Sequence, residues 1–206
     1  MFTDIVFPNM NEPEFVKIAS KLGYDKLYFI YDFEVFNPGI KKKLDIVENN
    51  EDINIEIGFI LNQKNSRTTI KGSKLLVAKS SDKDRFLIET KKVNMIYGFE
   101  ELQKRDHMHQ RASGLNQTIC ELAGKNAVAI GIAYGSLINK NAQDGPLLIG
   151  RIIQNIMMCQ KYKVKLVVGS LTNNPYAMRA PHEIMSFLSL LGMDGRRIME
   201  SLSSKL

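Results

Sequence analysis

Seven short apolar runs recur along the chain, at residues 5–7, 27–30, 55–61, 75–78, 93–97, 128–133 and 166–168. Most are continuously apolar rather than alternating, the pattern of parallel strands covered on both faces. Helical spacing fills the gaps. Asn11 is placed to cap a helix with Pro13 in its first turn, Phe15, Ile18, Ala19 and Leu22 on one face, and Gly23 as its stop. A second helix is predicted over 41–47, and a third opens at Asp82 with Phe86 on its inner side. Ser113 and Gly124 bracket a helix that sets Leu115, Ile119 and Leu122 together. The longest helix, 146–162, carries a stripe of Leu148, Ile149, Ile152, Ile153, Ile156 and Met157. Pro181 starts another, with Ile184, Phe187, Leu188 and Leu191 at helical intervals. Asp194 caps the last, where Met193 and Ile198 form a hydrophobic staple.

Strand and helix alternating at this interval predict an α/β fold around a parallel sheet. Seven strands fit either a small barrel or an open doubly wound sheet, and periodicity does not choose between them. A full eight-fold barrel takes ~250 residues, so a barrel in this chain would be a trimmed one. Segments 62–73 and 134–145 are polar and read as loops. With no internal repeat and no long linker, residues 1–206 are expected to form a single domain.

The composition, 44% hydrophobic and 24% charged, is that of a soluble globular protein. No secretory signal opens the chain and no apolar run reaches membrane-spanning length, so a cytoplasmic location and no membrane partner are expected. Cys120 and Cys159 lie in apolar helical patterns and read as reduced core thiols. The net charge of +6 is unevenly spread: residues 1–60 carry −5 and residues 61–206 carry +11. In a closed domain this gradient makes one side basic, and a basic side draws polyanions.

Two chemistries compete for the polar residues. A metal site could gather His107, His109 and Asp106 with Asp4 and His182 from other strand ends. Acyl transfer and nucleotide-loop chemistry find no support. Ser113 lacks a G-x-S-x-G setting, Gly124-Lys125 lacks a Walker pattern, and the glycines from 131 to 135 are wrongly spaced for a dinucleotide. The second chemistry is phosphate contact. Lys79 and Arg85, then Lys104, Arg105 and Arg111, then Arg179, then Arg196 and Arg197 cluster near predicted helix starts. Arg111 and Asn116 flank a helix entrance, where free N–H groups and the dipole favour anions. In a closed β/α layer these starts would share the rim at the C-terminal ends of the strands. Tyr97, Phe99 and Tyr134 are isolated aromatics, so the expected contact is with folded RNA through backbone and shape.

The stretch from His109 to Cys120, the run Tyr176-Ala-Met-Arg-Ala-Pro181 and the triplet Leu191-Gly-Met193 resemble the archaeal ribonuclease P protein component 3 family. This is the thirty-kilodalton subunit family shared with eukaryotic ribonuclease P, and the order of elements matches from Thr3 to Leu202. The resemblance implies a β/α-barrel-like fold, a trimmed TIM-type barrel related to polymerase-and-histidinol-phosphatase domains. It implies a non-catalytic subunit of the ribonucleoprotein that removes 5′ leaders from precursor tRNA. The catalytic site and its magnesium would lie on the RNA, with no cofactor on the protein. The implied partners are ribonuclease P RNA, protein component 2 and the other ribonuclease P proteins, with precursor tRNA met indirectly. Arg85, Arg111, Asn116 and Arg179 carry over as RNA-facing or rim-organising residues; Arg105, Arg196 and Arg197 join them from the charge pattern. The alternative is a metal-dependent phosphoesterase on a related barrel. Against it, the first strand lacks the His-x-His of those hydrolases, and Asn94 stands where the family has Asp. Two smaller departures are Arg-Ala-Pro for the usual Arg-Ser-Pro, and Gln117 where many members have His.

Overall fold

The computed structural model describes residues 1–32, 53–61, 75–103, 105–106, 108–109, 111–138 and 144–203. The helix predicted over 41–47 and the loop over 62–73 lie outside them. All seven apolar runs are strands: β1 Thr3–Val6, β2 Lys26–Asp32, β3 Asn54–Ile60, β4 Leu75–Lys79, β5 Met95–Tyr97, β6 Ala129–Ala133 and β7 Leu166–Gly169. They pair in parallel and in chain order. An open doubly wound sheet reverses its strand order at a switch point, and this one does not. Its two edges also meet. The amide of Leu171 donates to Ile5 O at 2.8 Å and that of Phe7 to Thr172 O at 2.9 Å, closing the sheet into a nearly complete barrel.

Around it lie α1 Glu12–Leu22, α2 Asp84–Glu89, α3 Gln117–Asn126, the single turn α4 Gly135–Ile138, α5 Asp144–Lys161, α6 Pro181–Leu190 and α7 Gly195–Leu202. Two 3-10 turns, Phe99–Glu101 and Pro175–Ala177, sit in the loops after β5 and β7. Alternate residues fill the barrel, among them Ile5, Tyr28, Ile30, Leu75, Met95 and Tyr97. The space is narrow, and glycine makes room in it. A Cβ at Gly131 would stand 2.9 Å from both Met95 Sδ and Tyr97 Cβ, and one at Gly58 2.6 Å from Ile30 Cδ1. The outward residues of the strands pack beneath the helices in three further clusters.

Helix starts follow local chemistry with corrections: Asn11 precedes α1 without a side-chain cap bond, and α4 and the start of α5 at Asp144 fall within 134–145, expected to be a loop. Pro13 and Pro181 lie in first turns, Gly23 closes α1 in the left-handed region, and Asp194 caps α7 by accepting from Arg197 N at 3.1 Å. Met193 and Ile198 are buried together as the staple required. Ser113, however, is not a cap. Asn116 caps α3, accepting from Ile119 N at 2.9 Å, and Ala127 rather than Gly124 turns the chain out. The third predicted helix starts at Asp84, not Asp82. Its carboxylate accepts from Ser80 Oγ and Ser81 N, and Phe86 faces solvent while Leu87 and Ile88 are buried.

Asp4 clasps the seam. It is fully buried on the outer face of β1; Oδ1 accepts from Ser170 N at 2.6 Å and Ile5 N at 2.8 Å, and Oδ2 accepts from Tyr134 Oη at 3.2 Å. Desolvation pushes this carboxyl up to about 6 even though those hydrogen bonds favour its charged form. Its proposed role as a metal ligand therefore gives way to a structural one. Replacing Asp4 with Ala strands buried donors on both sides of the seam and is expected to cost ~3 kcal/mol. Asp4→Asn keeps the Oδ1 acceptor and should cost less than about 1 kcal/mol. Urea midpoints of the two variants, equal to each other, would refute this role.

Candidate functional site

The loops at the C-terminal ends of β4 to β7 carry most of the predicted site. Arg85 lies in α2 after β4, Arg105 and Arg111 in the loop after β5, and Arg179 after β7. Arg196 and Arg197 do not join them. Their helix follows α6 rather than a strand, and Arg197 lines a cleft of about 540 Å³ with Lys163, Lys165 and Leu166, at the start of β7. This corrects the expectation that all the arginines share one rim. The physical reason is that α6 returns the chain to the N-terminal ends of the strands before α7 begins.

The arginines also differ in how free their charge is. Arg85 Nε is paired with Glu89 at 2.8 Å and Arg196 with Glu200 at 3.0 Å, each within one helix, and Arg197 with the cap residue Asp194 at 3.2 Å. Arg179 spends Nη1 on its own neighbours, donating to Met178 O at 2.8 Å and Tyr176 O at 3.1 Å. Its backbone is anchored as well: Tyr24 Oη donates to Arg179 O at 2.8 Å, and Arg179 N donates to Tyr134 Oη at 3.3 Å. Tyr134 in turn holds Asp4. The Tyr176 ring beside it is 74% exposed, the one aromatic of the recognised motifs that faces solvent among the described residues. Arg105 and Arg111 are exposed and make no hydrogen bond or ion pair among the described residues. Asn116 has a structural duty as the cap of α3.

The loop that presents Arg105 and Arg111 is held from beneath by a residue that the apolar pattern concealed. Arg151, in α5, is 1% exposed. It donates Nη1 to Gln103 O at 2.6 Å and Glu100 O at 3.0 Å, and Nε to Asp106 Oδ1 at 2.8 Å. Asp106 also accepts from Ala112 N at 2.8 Å, and this bond, with Arg151, holds its carboxyl below the usual range. One side chain thus ties the first part of the loop to one helix, and through Asp106 the later part at Ala112. The buried face of α5 runs through Leu148, Arg151, Ile152, Asn155, Ile156 and Cys159, while Met157 is exposed, so the stripe is turned from the predicted one. An arginine three residues after a core leucine was the available signal.

Glu100 lies under the same loop, fully buried. Asn155 Nδ2 reaches its Oε2 at 3.5 Å, and desolvation pushes the carboxyl up to about 7, with neighbouring Glu101 adding to the rise. At the barrel mouth Lys79 bridges to Glu101 at 2.9 Å over the ring pair of Phe7 and Tyr97, whose centroids are 5.7 Å apart.

Three described members of the alternative metal cluster are engaged elsewhere. Asp4 is in the seam and Asp106 on Arg151, while His182 packs edge-on to Phe2 with ring centroids 6.0 Å apart. His107 and Lys104 lie outside the described residues. No group of three or more His, Cys, Asp or Glu able to hold a metal occurs among the described residues. Burial pushes the Cys120 thiol up to about 11 and the Cys159 thiol higher still, which removes both from nucleophilic work. No helix among the described residues is long and apolar enough to cross a membrane.

Residues 104–205 match the family model described as RNase P subunit p30. The ribonuclease P protein component 3 of Methanosarcina mazei is 30% identical over 94 residues, covering 46% of this chain and 39% of that protein. In such local matches the chain spans about two fifths of the relatives' length. The same component of Methanococcus maripaludis (strain C6) is 22% identical over 203 residues, covering 93% of this chain and 84% of that one. In fold, the chain is similar to one in a cryo-EM structure of archaeal ribonuclease P with mature tRNA. The TM-score is 0.80 at 18% identity, over 97% of this chain and 87% of that one. The resemblance carried by the motifs holds: the chain resembles the p30 family in the sequence of its second half, and over nearly all its length its fold is like that of a chain in an archaeal ribonuclease P particle.

Glu100 gives the site a testable pH dependence. Between the ordinary 4.5 and about 7, the folded protein keeps the Glu100 proton and the unfolded chain does not. Stability from this group is therefore present below that window and lost as pH rises through it. Glu100→Gln should flatten the fall between pH 5 and 7, leaving the shallower contribution of Asp4. Parallel wild-type and variant curves of urea midpoint against pH would contradict it.

Proposed function

We propose that this chain is a single β/α-barrel domain acting as a protein subunit of ribonuclease P, in the removal of 5′ leaders from precursor tRNA. The catalytic RNA carries the chemistry and its magnesium; the protein braces that RNA. Protein component 2 and the other ribonuclease P proteins are its partners, precursor tRNA is met through the assembled particle, and the setting is cytoplasmic. The RNA-facing side is the outer surface of the β5 and β7 loops, with Arg105, Arg111 and Arg179 as leading contacts and Arg85 beside them. Asn116 acts indirectly, by fixing where α3 begins. Arg196 and Arg197 serve the opposite end of the barrel, where with Lys163 and Lys165 they offer a second, weaker basic surface.

One observation carries this reading above all: Arg111 presents an exposed guanidinium with no hydrogen bond or ion pair among the described residues, and the carboxylate that feels its charge, Asp106, is already bonded to Arg151 and to Ala112 N. An arginine fork left unpaired beside paired neighbours suits bidentate phosphate contact. Among the described residues the exposed aromatics are Phe86 and Tyr176, few for the stacking on which sequence reading of single strands relies, and this supports a folded-RNA target.

Reconstitution with ribonuclease P RNA and the sister proteins tests the proposal. Omitting this chain should slow cleavage or raise the magnesium requirement. Arg111→Ala should weaken RNA binding about tenfold and shrink the log–log salt slope by roughly 0.7–0.9. Arg196→Ala, at the other end, should change affinity less than about twofold. An affinity insensitive to Arg111 and a salt slope near zero would each defeat the reading.

A further inference from the structure

Gly150 stands in the middle of the longest described helix, where alanine would be the better helix former. It is buried, and what buries it is Arg111. A Cβ built at position 150 would fall on Nη1 and Cζ of that guanidinium, and within 3.0 Å of Nη2. The Arg111 group thus lies flat across α5 in the space a side chain would take. Its other face is open to solvent, and no hydrogen bond or ion pair holds it among the described residues. Asp106, whose pKa feels the Arg111 charge, is already committed to Arg151 Nε and Ala112 N.

We propose that Gly150 is a phosphate-site seat: a missing side chain in α5 that presets the Arg111 guanidinium as a fixed fork for one phosphodiester of the RNA. The inference rests on the RNA-binding reading above and names the geometry that makes one of its contacts strong. A long arginine loses rotamer freedom when it grips a phosphate, and a side chain already laid in place loses less. The helix gives up propensity at position 150 so that the loop can hold a rigid cation. Arg151, the next residue, fixes the same loop from inside, through Glu100 O, Gln103 O and Asp106. Two successive residues of one helix therefore set where the Arg111 charge stands.

The test separates position from charge. Gly150→Ala leaves every charge in place and favours the helix, so its thermal midpoint should equal or exceed that of wild type. Its affinity for ribonuclease P RNA from the organism that encodes the chain should nonetheless fall about tenfold, as for Arg111→Ala. The double variant should bind no worse than either single one, because both remove the same contact. Arg111→Lys leaves α5 untouched and keeps the charge without the planar fork; it should bind about fivefold more weakly than wild type. Should Gly150→Ala fail to fold, this second variant decides. Wild-type affinity in Gly150→Ala or in Arg111→Lys, with Arg111→Ala weakened, overturns the seat and leaves the RNA reading standing. Wild-type affinity in Arg111→Ala overturns both.

Discussion

Closing seven parallel strands into a ring is the constraint from which the other features follow. Fewer strands make a tighter ring, and a tighter ring leaves less room for inward side chains. Gly58 and Gly131 supply that room opposite Ile30, Met95 and Tyr97. The ring must also be fastened where its first and last strands meet, and there Asp4 accepts across the seam from Ser170 N. A buried carboxylate is costly unless its oxygens are satisfied, and Asp4 spends them on two amides and the Tyr134 hydroxyl. Tyr134 and Tyr24 then pass the fastening on to the backbone of Arg179. The clasp of the barrel and the anchor of a basic surface loop are one hydrogen-bonded chain.

A second device serves the loop between β5 and α3, whose described residues after the 3-10 turn form no helix or strand. Arg151 bonds two of its carbonyls and one carboxylate from within. A guanidinium can do this because its five donors fan out in a plane, whereas an ammonium would have to choose. Burying it is tolerable because Asp106 supplies the countercharge at Nε and two carbonyls take Nη1, although Nη2 is buried without a partner among the described residues. The exposed cations Arg105 and Arg111 thus stand in a loop that Arg151 holds by these bonds.

How far the sequence could be read depended on how many residues carried each signal. Strands buried on both faces are apolar throughout, and all seven were found to within two residues at each end. Pro13, Pro181 and Asp194 announced their helices through backbone chemistry confined to one turn. Where two residues compete for the same duty, local pattern failed. Ser113 and Asn116 are both good caps, and the choice fell to Asn116 because Ser113 is drawn into the core beneath the loop. Phe86 looked like core and lies outside, since a six-residue helix has room for only a narrow buried edge, taken by Leu87 and Ile88. Arg151 left only the faint signal of an arginine beside a core leucine, and Gly150 left none, because the meaning of both depends on a loop forty residues earlier. Arg196 and Arg197 were misplaced because charge counting does not know that α7 follows a helix.

Charge counting has a deeper flaw here. The sequence after residue 60 is strongly basic, but the structure splits that excess into cations that are spoken for and cations that are not. Arg85, Arg196 and Arg197 meet carboxylates one turn away, and at the mouth Lys79 meets Glu101. Exposed pairs of this kind add little to stability, yet they lower the local potential a phosphate would meet. Few of the arginines that follow β4 to β7 remain fully available, and those that do lie in the loop that Arg151 and Gly150 arrange. A folded RNA approaching this barrel would feel the broad basic field at long range. At contact it would distinguish a few held guanidinium groups from a larger number already neutralised. The distinction rests on packing inside α5, and a surface charge map taken from sequence does not contain it.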